Sequence, residues 1–295
     1  MSTPLVERRV AFIGVGRLAQ TLARAWSASG VGVVAVASRN GLAAEQLAAQ
    51  LPGCLALPAA EAVAAADLVF LTVPDDAIAL VAAALPWTAR HWVVHCSGAT
   101  ELTALAPAAA VGAQVGGFHP LQIFSDPARA EHLLAGSTVA IEVAAEAQGL
   151  SDELHAMARR LQMKPLQLPP GSRAAYHGAA SFAASFLLSM LDEAAQVWAQ
   201  IGLPPEAALQ ALLPLARGTL DAAASRGLAG ALSGPISRGD AGVVAAHLQA
   251  LDALGGAHGQ FYRELARRQL SLARGSARLD EATLQGLGRL LEAAP

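Results

Sequence analysis

One lysine, Lys164, and two cysteines, Cys54 and Cys96, are all that 295 residues hold of those types. A lysine-based step on any helix after Lys164 is thereby excluded. Two cysteines build no disulfide framework, and neither lies in a CxxC or a Cys/His cluster of metal-ligand spacing, so a reducing compartment is expected and no metal site is. Charge is also scarce, at 15%. Twenty Lys+Arg against 23 Asp+Glu give a formal net charge of -3, which supplies no basic field for a phosphate backbone, and nucleic acid is not an expected partner. The lead from Met1 to Arg9 has charged Glu7, Arg8 and Arg9 and no apolar export segment, so a cytoplasmic location is expected. The stretch from Ala174 to Leu191 carries Tyr176, His177 and three serines, which argues against a membrane span and for a buried helix.

What is present is apolar. Hydrophobic residues make up 54%, and the length suits two domains better than one core. From Val10 to about Pro169, short β-branched runs alternate with Ala/Leu-rich helical stretches, the mark of βαβ units and a mostly parallel sheet. Strands are predicted at Val10 to Ile13, Val31 to Ala37, Leu68 to Val73, Trp92 to His95, Gln114 to Phe118, Thr138 to Glu142 and Lys164 to Leu168. Helices are predicted over Leu18 to Ser29, Leu42 to Leu51, Asp76 to Leu85 and Ser151 to Leu161. Leu168-Pro169-Pro170-Gly171 ends this pattern. Beyond it the chain reads as all-helical, which divides it into domains 1–170 and 171–295. One helix from Ala174 to Ile201 would be about 40 Å long and would form the spine of the second domain or of a dimer interface.

The motif Gly14-Val15-Gly16-Arg17-Leu18-Ala19 follows the first strand and opens a helix, the context in which glycines at this spacing cradle a pyrophosphate. Gly14 permits the turn, Gly16 lets the phosphates approach, and the head of the helix, with Arg17 and Leu18, offers N–H donors and positive dipole. The second strand ends in Ser38-Arg39-Asn40, where NAD-selective folds place an acid for the ribose hydroxyls. A hydroxyl, a guanidinium and an amide suit a 2′-phosphate instead, so NADP is the expected cofactor. Ser38 and Asn40 could equally turn the chain and cap the next helix.

Three further turns follow predicted strands and should line the same crevice: Thr72-Val73-Pro74-Asp75, His95-Cys96-Ser97-Gly98 and Phe118-His119-Pro120. Val73, Pro74 and Ser97 are expected to border the nicotinamide ribose. Pro74 and Asp75 could merely end a strand and Asp76 cap a helix. His119, preceded by Gly116 and Gly117 where strain or close ligand approach is plausible, is a candidate proton donor, as are Tyr176 and His177 where the helical domain begins. His95 reads as a satisfied strand-end histidine. His91, His132, His155, His247 and His258 lack mutual metal spacing and read as surface or packing residues. In Ser233 to Asp240, Asp240 could cap a helix, and Arg238 could meet a substrate carboxylate or a second subunit.

Taken together, the glycine loop, Val73-Pro74-Asp75, His95 to Ala99, Phe118 to Gln122, Tyr176-His177 and Gly234-Pro235 with Arg238-Gly239-Asp240 resemble bacterial proteins that join a Rossmann-like domain to the helical domain of unknown function 2520. These are similar in layout to pyrroline-5-carboxylate reductase and to the 6-phosphogluconate/β-hydroxyacid dehydrogenase superfamily. The resemblance implies an N-terminal doubly wound α/β domain and an all-α C-terminal domain. It also implies an NADP-dependent oxidoreductase with an often dimeric helical domain, and it supplies no substrate. Hydride transfer between the nicotinamide and a small carbonyl, hydroxy or imine substrate between the domains is the expected chemistry. The β-hydroxyacid dehydrogenases use a lysine on the long helix that this chain lacks, and Ser185 stands where the resemblance would place asparagine. A dinucleotide-binding sensor or scaffold without turnover is the alternative, and a deazaflavin-linked reductase shares the first domain. A methyltransferase is disfavoured by Arg39.

Overall fold

The computed structural model describes residues 8–124, 126, 132 and 134–292; the lead over residues 1–7 lies outside them. Two compact units divide the chain, Met1–Ser181 and Phe182–Pro295.

In the first unit, β1 (Val10–Ile13), α1 (Arg17–Ala28), β2 (Val33–Ala37), α2 (Gly41–Ala48), β3 (Leu55–Ala56), α3 (Ala59–Ala65) and β4 (Leu68–Leu71) alternate. A 3-10 turn, Asp75–Ala77, precedes α4 (Ile78–Ala84) and β5 (Trp92–His95). A second such turn, Leu102–Leu105, leads through α5 (Ala106–Ala110) to β6 (Gln114–Pro120). Then come β7 (Thr138–Val143), α6 (Gln148–Arg160), β8 (Lys164–Gln167) and α7 (Arg173–Ala183). The strands form an 8-stranded sheet of order β3-β2-β1-β4-β5-β6-β7-β8. All neighbours are parallel except β6 and β7, which pair antiparallel with Gly117 opposite Glu142. The expected Rossmann-like α/β unit is therefore present. Sequence reading passed over β3 and α3. The first is two residues long, too short to show alternation.

Both faces of the sheet are covered, which is why its strands read as continuous apolar runs. On one face Trp26 of α1 lies against Phe12, Phe70 and Phe118, with centroids 6.0, 4.9 and 5.4 Å away. Its indole donates to the Met157 carbonyl at 3.2 Å, which ties α1 to α6. The other face buries Ile13, Val69, Leu71, Ile78, Val93 and Leu105. Each such side chain contributes about 1.5–3 kcal/mol on burial.

The second unit contains α8 (Ser185–Gln200), α9 (Pro205–Ala231), α10 (Pro235–Arg238), α11 (Ala241–Ala253), α12 (His258–Ser276) and α13 (Glu281–Glu292). Its core is Val244, Leu248, Ala266, Leu284, Leu287 and Leu291 with Ile236 and Ala273. Arg263 holds Asp252 through two bonds of 2.8 and 2.6 Å.

The single helix expected from Ala174 to Ile201 is broken. Ala184, at φ -115 and ψ -87, separates α7 from α8. Nor is it buried as expected. Arg173–Gln200 is long and apolar enough to cross a membrane by length and composition, yet none of its most apolar window is covered. Composition set the apolar character, but burial needs a partner surface, and a single chain provides none here. Asp76 does not cap α4, whose N-cap is Ala77 without a side-chain bond. Asp240 leaves α11 uncapped and pairs instead with Arg238 at 2.8 Å.

Candidate active site

The order of strands reverses at β1, whose neighbours are β2 and β4, and the carboxyl ends of these strands are where a parallel sheet admits a ligand. The loop after β1 is fixed before any ligand arrives. Gly14 N–H donates to the Ala37 carbonyl at 2.8 Å, the Thr72 hydroxyl donates to the Gly14 carbonyl at 2.8 Å, and the Gln20 amide donates to the Val15 carbonyl at 3.0 Å. Gly14 has φ +102, and a Cβ there would meet the Thr72 carbonyl oxygen at 2.5 Å. Its glycine is thus required by the loop itself. Gly16 differs. A Cβ at this position meets nothing within 4 Å, so the protein's own packing leaves the space above it open. Gly16 is also the N-cap of α1, makes no side-chain cap, and has no acid in the turn that follows. The first-turn N–H groups and the exposed Arg17, beside Leu18, therefore present positive potential with no internal anion to satisfy it.

A cavity of about 610 Å³ joins Gly14 and Gly16 to Ser38 and Arg39 at the end of β2 and to Val73 and Pro74 after β4. Leu57, Leu80 and Leu85 give it an apolar wall. Arg39 is exposed and has no ion-pair partner among the described residues. Asn40 lies outside the lining and caps α2, its Oδ1 accepting from Ala43 N–H at 3.2 Å. Ser97 is also outside the lining. Its hydroxyl donates to Thr100 Oγ1 at 2.9 Å and accepts from Thr100 N–H at 2.9 Å, so it serves the turn after β5. The cavity's free cation, open glycine and apolar wall fit a phosphorylated dinucleotide.

A second cluster forms at the ends of β5 and β6. His119 Nδ1 and the Tyr176 hydroxyl are 3.1 Å apart, and the His119 and His177 rings are 5.8 Å apart, edge to face. Gly98 lies between the imidazoles, where a Cβ would be 2.5 Å from His177 Cδ2 and 2.9 Å from His119 Nε2. The three residues read as candidate proton donors are therefore neighbours within the sheet unit. Burial first, then the charges of His177 and Arg173, push His119 down to about 4, against a smaller opposing pull from Asp75. Burial raises the Tyr176 hydroxyl, partly offset by Arg173. The histidine is neutral and the phenol protonated near pH 7.

His95 corrects the sequence reading. It is fully buried, and neither ring nitrogen has a hydrogen-bond partner among the described residues. Burial, Arg173 and His119 push it down to about 3. The remaining histidines are engaged locally: His91 accepts from Thr88 N–H at 3.0 Å, His155 lies 2.8 Å from the Ser151 carbonyl, His247 3.0 Å from the Tyr262 hydroxyl and His258 2.6 Å from Glu193. His132 is exposed.

The sequence reading gave no role to Glu142. A carboxylate inside the run Thr138–Val143 was the available signal, since a strand covered on both faces holds a charge only with a partner. That partner is Arg173, whose Nε lies 2.5 Å from Glu142 Oε2. The close approach anticipated at Gly117 is made by this guanidinium, because a Cβ there would overlap Arg173.

Two family matches cover parts of the chain and divide it elsewhere than its two compact units do. Residues 138–269 match the family described as domain of unknown function DUF2520. Its match starts at β7 and so includes the last two strands, Glu142, Arg173, Tyr176 and His177, as well as helices. Residues 9–98 match the family described as NADP oxidoreductase, coenzyme F420-dependent, and His119 lies outside both matches. No curated protein matches this chain. Among solved structures, a Thermotoga maritima protein superposes with TM-score 0.75 at 22% identity, over 91% of this chain and 100% of its own. A reductive aminase from Aspergillus terreus in complex with NADPH and ethyl-5-oxohexanoate gives 0.63 at 16% identity, over 94% and 98%. An imine reductase from Pseudomonas sp. gives 0.61 at 19% identity, over 95% and 99%. These likenesses establish the fold of the chain over nearly its whole length.

Proposed function

We propose that this chain is an NADP-dependent oxidoreductase that reduces the carbon of a small C=O or C=N substrate, or oxidises the product. The observation that carries the reading is the cavity joining the open face of Gly16 to the free Arg39. Gly14, Gly16, Arg17 and Leu18 would hold the pyrophosphate, Ser38 and Arg39 the 2′-phosphate, and Val73 and Pro74 the inner ribose. Asn40 and Ser97 would act through the turns they cap. The family matched by residues 9–98 and the NADPH in the reductive aminase complex support the same cofactor. When bound, the nicotinamide supplies the hydride.

This chain's own residues supply the proton. Tyr176 is the donor: its raised affinity for the proton keeps it charged with one to give, and its oxygen faces His119. A neutral His119 protonated at Nδ1 would hold that oxygen by a hydrogen bond as the phenol's proton leaves for the substrate, and a proton taken up from solvent then restores the phenol. His177 borders the opposite side of His119. Each turnover moves one hydride and one proton onto the double bond, giving an alcohol or an amine.

The protein is proposed to work as a cytoplasmic homodimer, without nucleic acid or membrane as partner. Support comes from the second unit, where α8 buries no residue and exposes Phe186, Leu188 and Met190. An uncovered apolar face of this kind marks an association surface. The deciding experiment follows NADPH absorbance against a panel of cyclic imines, oxo acids and aldehydes, alongside calorimetric titration with NADPH and NADH. Oxidation with any of them supports the reading; tight NADPH binding with no oxidation assigns a sensor, and no binding of either nucleotide overturns it.

A further inference from the structure

Arg173 occupies a costly position. It is the first residue of α7, where the helix dipole opposes a cation, and it is the one buried residue of that helix, with 0% exposure. Its contacts offset that cost in part, since Nη2 has no hydrogen-bond partner among the described residues. Besides Glu142, its Nη1 donates to the Ser97 carbonyl at 2.8 Å and its backbone N–H donates to Glu101 Oε1 at 3.2 Å. The guanidinium lies on Gly117, whose cross-strand neighbour is Glu142. One side chain thereby pins the start of α7 to the ends of β5, β6 and β7.

Tyr176 and His177 follow three and four residues later, on the same helical face one turn on. We propose that Arg173, clamped by Glu142, is the positioning residue of the site, fixing the rotation of α7 that brings Tyr176 to His119. Its charge also disfavours protonation of the His119 ring. This rests on the proton-donor reading above. The groups facing His119 are His95 from β5, Arg173, Tyr176 and His177 from α7, and Asp75 from the turn after β4; Glu142 lies behind Arg173. Of these Arg173 alone is a permanent cation, so its removal acts on His119 in one direction.

Breaking a buried pair by removing one partner leaves an uncompensated charge and can unfold a protein, whereas replacing both partners together is tolerated far better. The test therefore uses the full-length Arg173→Met/Glu142→Met double variant beside Arg173→Lys. Histidine signals are followed by NMR against pH in ¹⁵N-labelled protein, with His119→Asn for assignment, and NADPH affinity and turnover are measured on the same samples. The double variant is expected to fold and bind NADPH as the parent does, to show His119 titrating roughly half to one unit higher, and to lose about a hundredfold in kcat. Arg173→Lys, which restores charge without the planar fork, should return the His119 titration towards the parent's but leave kcat low. A folded double variant with unchanged His119 titration and unchanged turnover overturns the proposal. If the parent protein never oxidises NADPH, the redox reading fails on its own, and the His119 titration still decides whether Arg173 controls that imidazole.

Discussion

The Tyr176 hydroxyl lies 3.1 Å from Nδ1 of His119, across 57 residues of sequence. A helix and a strand end from opposite sides of the family boundary thus build one hydrogen-bonded couple, and the couple is directional because burial keeps the phenol protonated and the imidazole neutral.

Tyr176→Phe removes the proposed donor while keeping the ring. Turnover should fall about 10²- to 10⁴-fold, the usual contribution of a positioned general acid, with the NADPH dissociation constant unchanged. Steady-state kinetics together with calorimetry check this. Equal losses in binding and rate would instead mark Tyr176 as structural.

Arg39→Glu places a carboxylate where a 2′-phosphate is expected. Losing a charge-assisted bond worth about 1.5–3 kcal/mol weakens binding roughly 10- to 150-fold. NADPH affinity should fall by at least that factor, while NADH affinity holds or improves. The ratio of the two dissociation constants is the measurement, since it cancels any general damage to the cavity.

Gly14 and Gly16 separate fold from function. Gly14→Ala meets the Thr72 carbonyl and a left-handed φ, so it should cost stability by about 1–3 kcal/mol in thermal or denaturant unfolding. The Cβ that Gly16→Ala adds meets no protein atom within 4 Å, so the melting temperature should stay near the parent's while dinucleotide binding weakens.

Acid should weaken the fold through His95 and His119. Their folded values of about 3 and about 4 lie below the ordinary 6.5, so between pH 6.5 and 4 the unfolded chain binds protons that the native chain refuses. Stability is full above 6.5 and declines as pH falls, with the His119 part spent near pH 4 and the His95 part near pH 3, by roughly 8 kcal/mol at most. His95→Leu removes two unpartnered buried nitrogens, and it should flatten the decline without loss of stability at pH 7. Unfolding curves at several pH values decide it.

The mass in solution should be twice the 30.0 kDa of the chain. Leu188→Glu, at a side chain 67% exposed, should shift light scattering towards the monomer. A monomeric parent would remove the dimer from the proposal.

Much of the sheet unit was legible because period and context agree there. Val10–Ile13 followed by Gly14-Val15-Gly16 announced a strand, a turn and a helix head, and Ser38-Arg39 announced the sign of the charge that the pocket favours. Asn40 was legible only as one of two possibilities, and the structure gave it to the helix cap. The break at Ala184 was not legible, since alanine is the best helix former and nothing in Ala183-Ala184-Ser185 interrupts the apolar pattern. The bare face of α8 was legible only as one of two possibilities, domain spine or dimer interface, because an apolar composition states that a surface wants cover without stating that the same chain supplies it.

By itself the sequence determined the alternation of strands and helices, the glycine loop after the first strand and the choice of an arginine over an acid beside it, all of which depend on residues within a few positions of one another. Only the tertiary structure decided that Glu142 belongs to Arg173, that Gly117 exists to seat a guanidinium, and that His119 meets Tyr176. Those partners are 31, 56 and 57 residues apart, and local spacing carries no information about distances that only the packed sheet, with β7 reversed against β6, brings to van der Waals range.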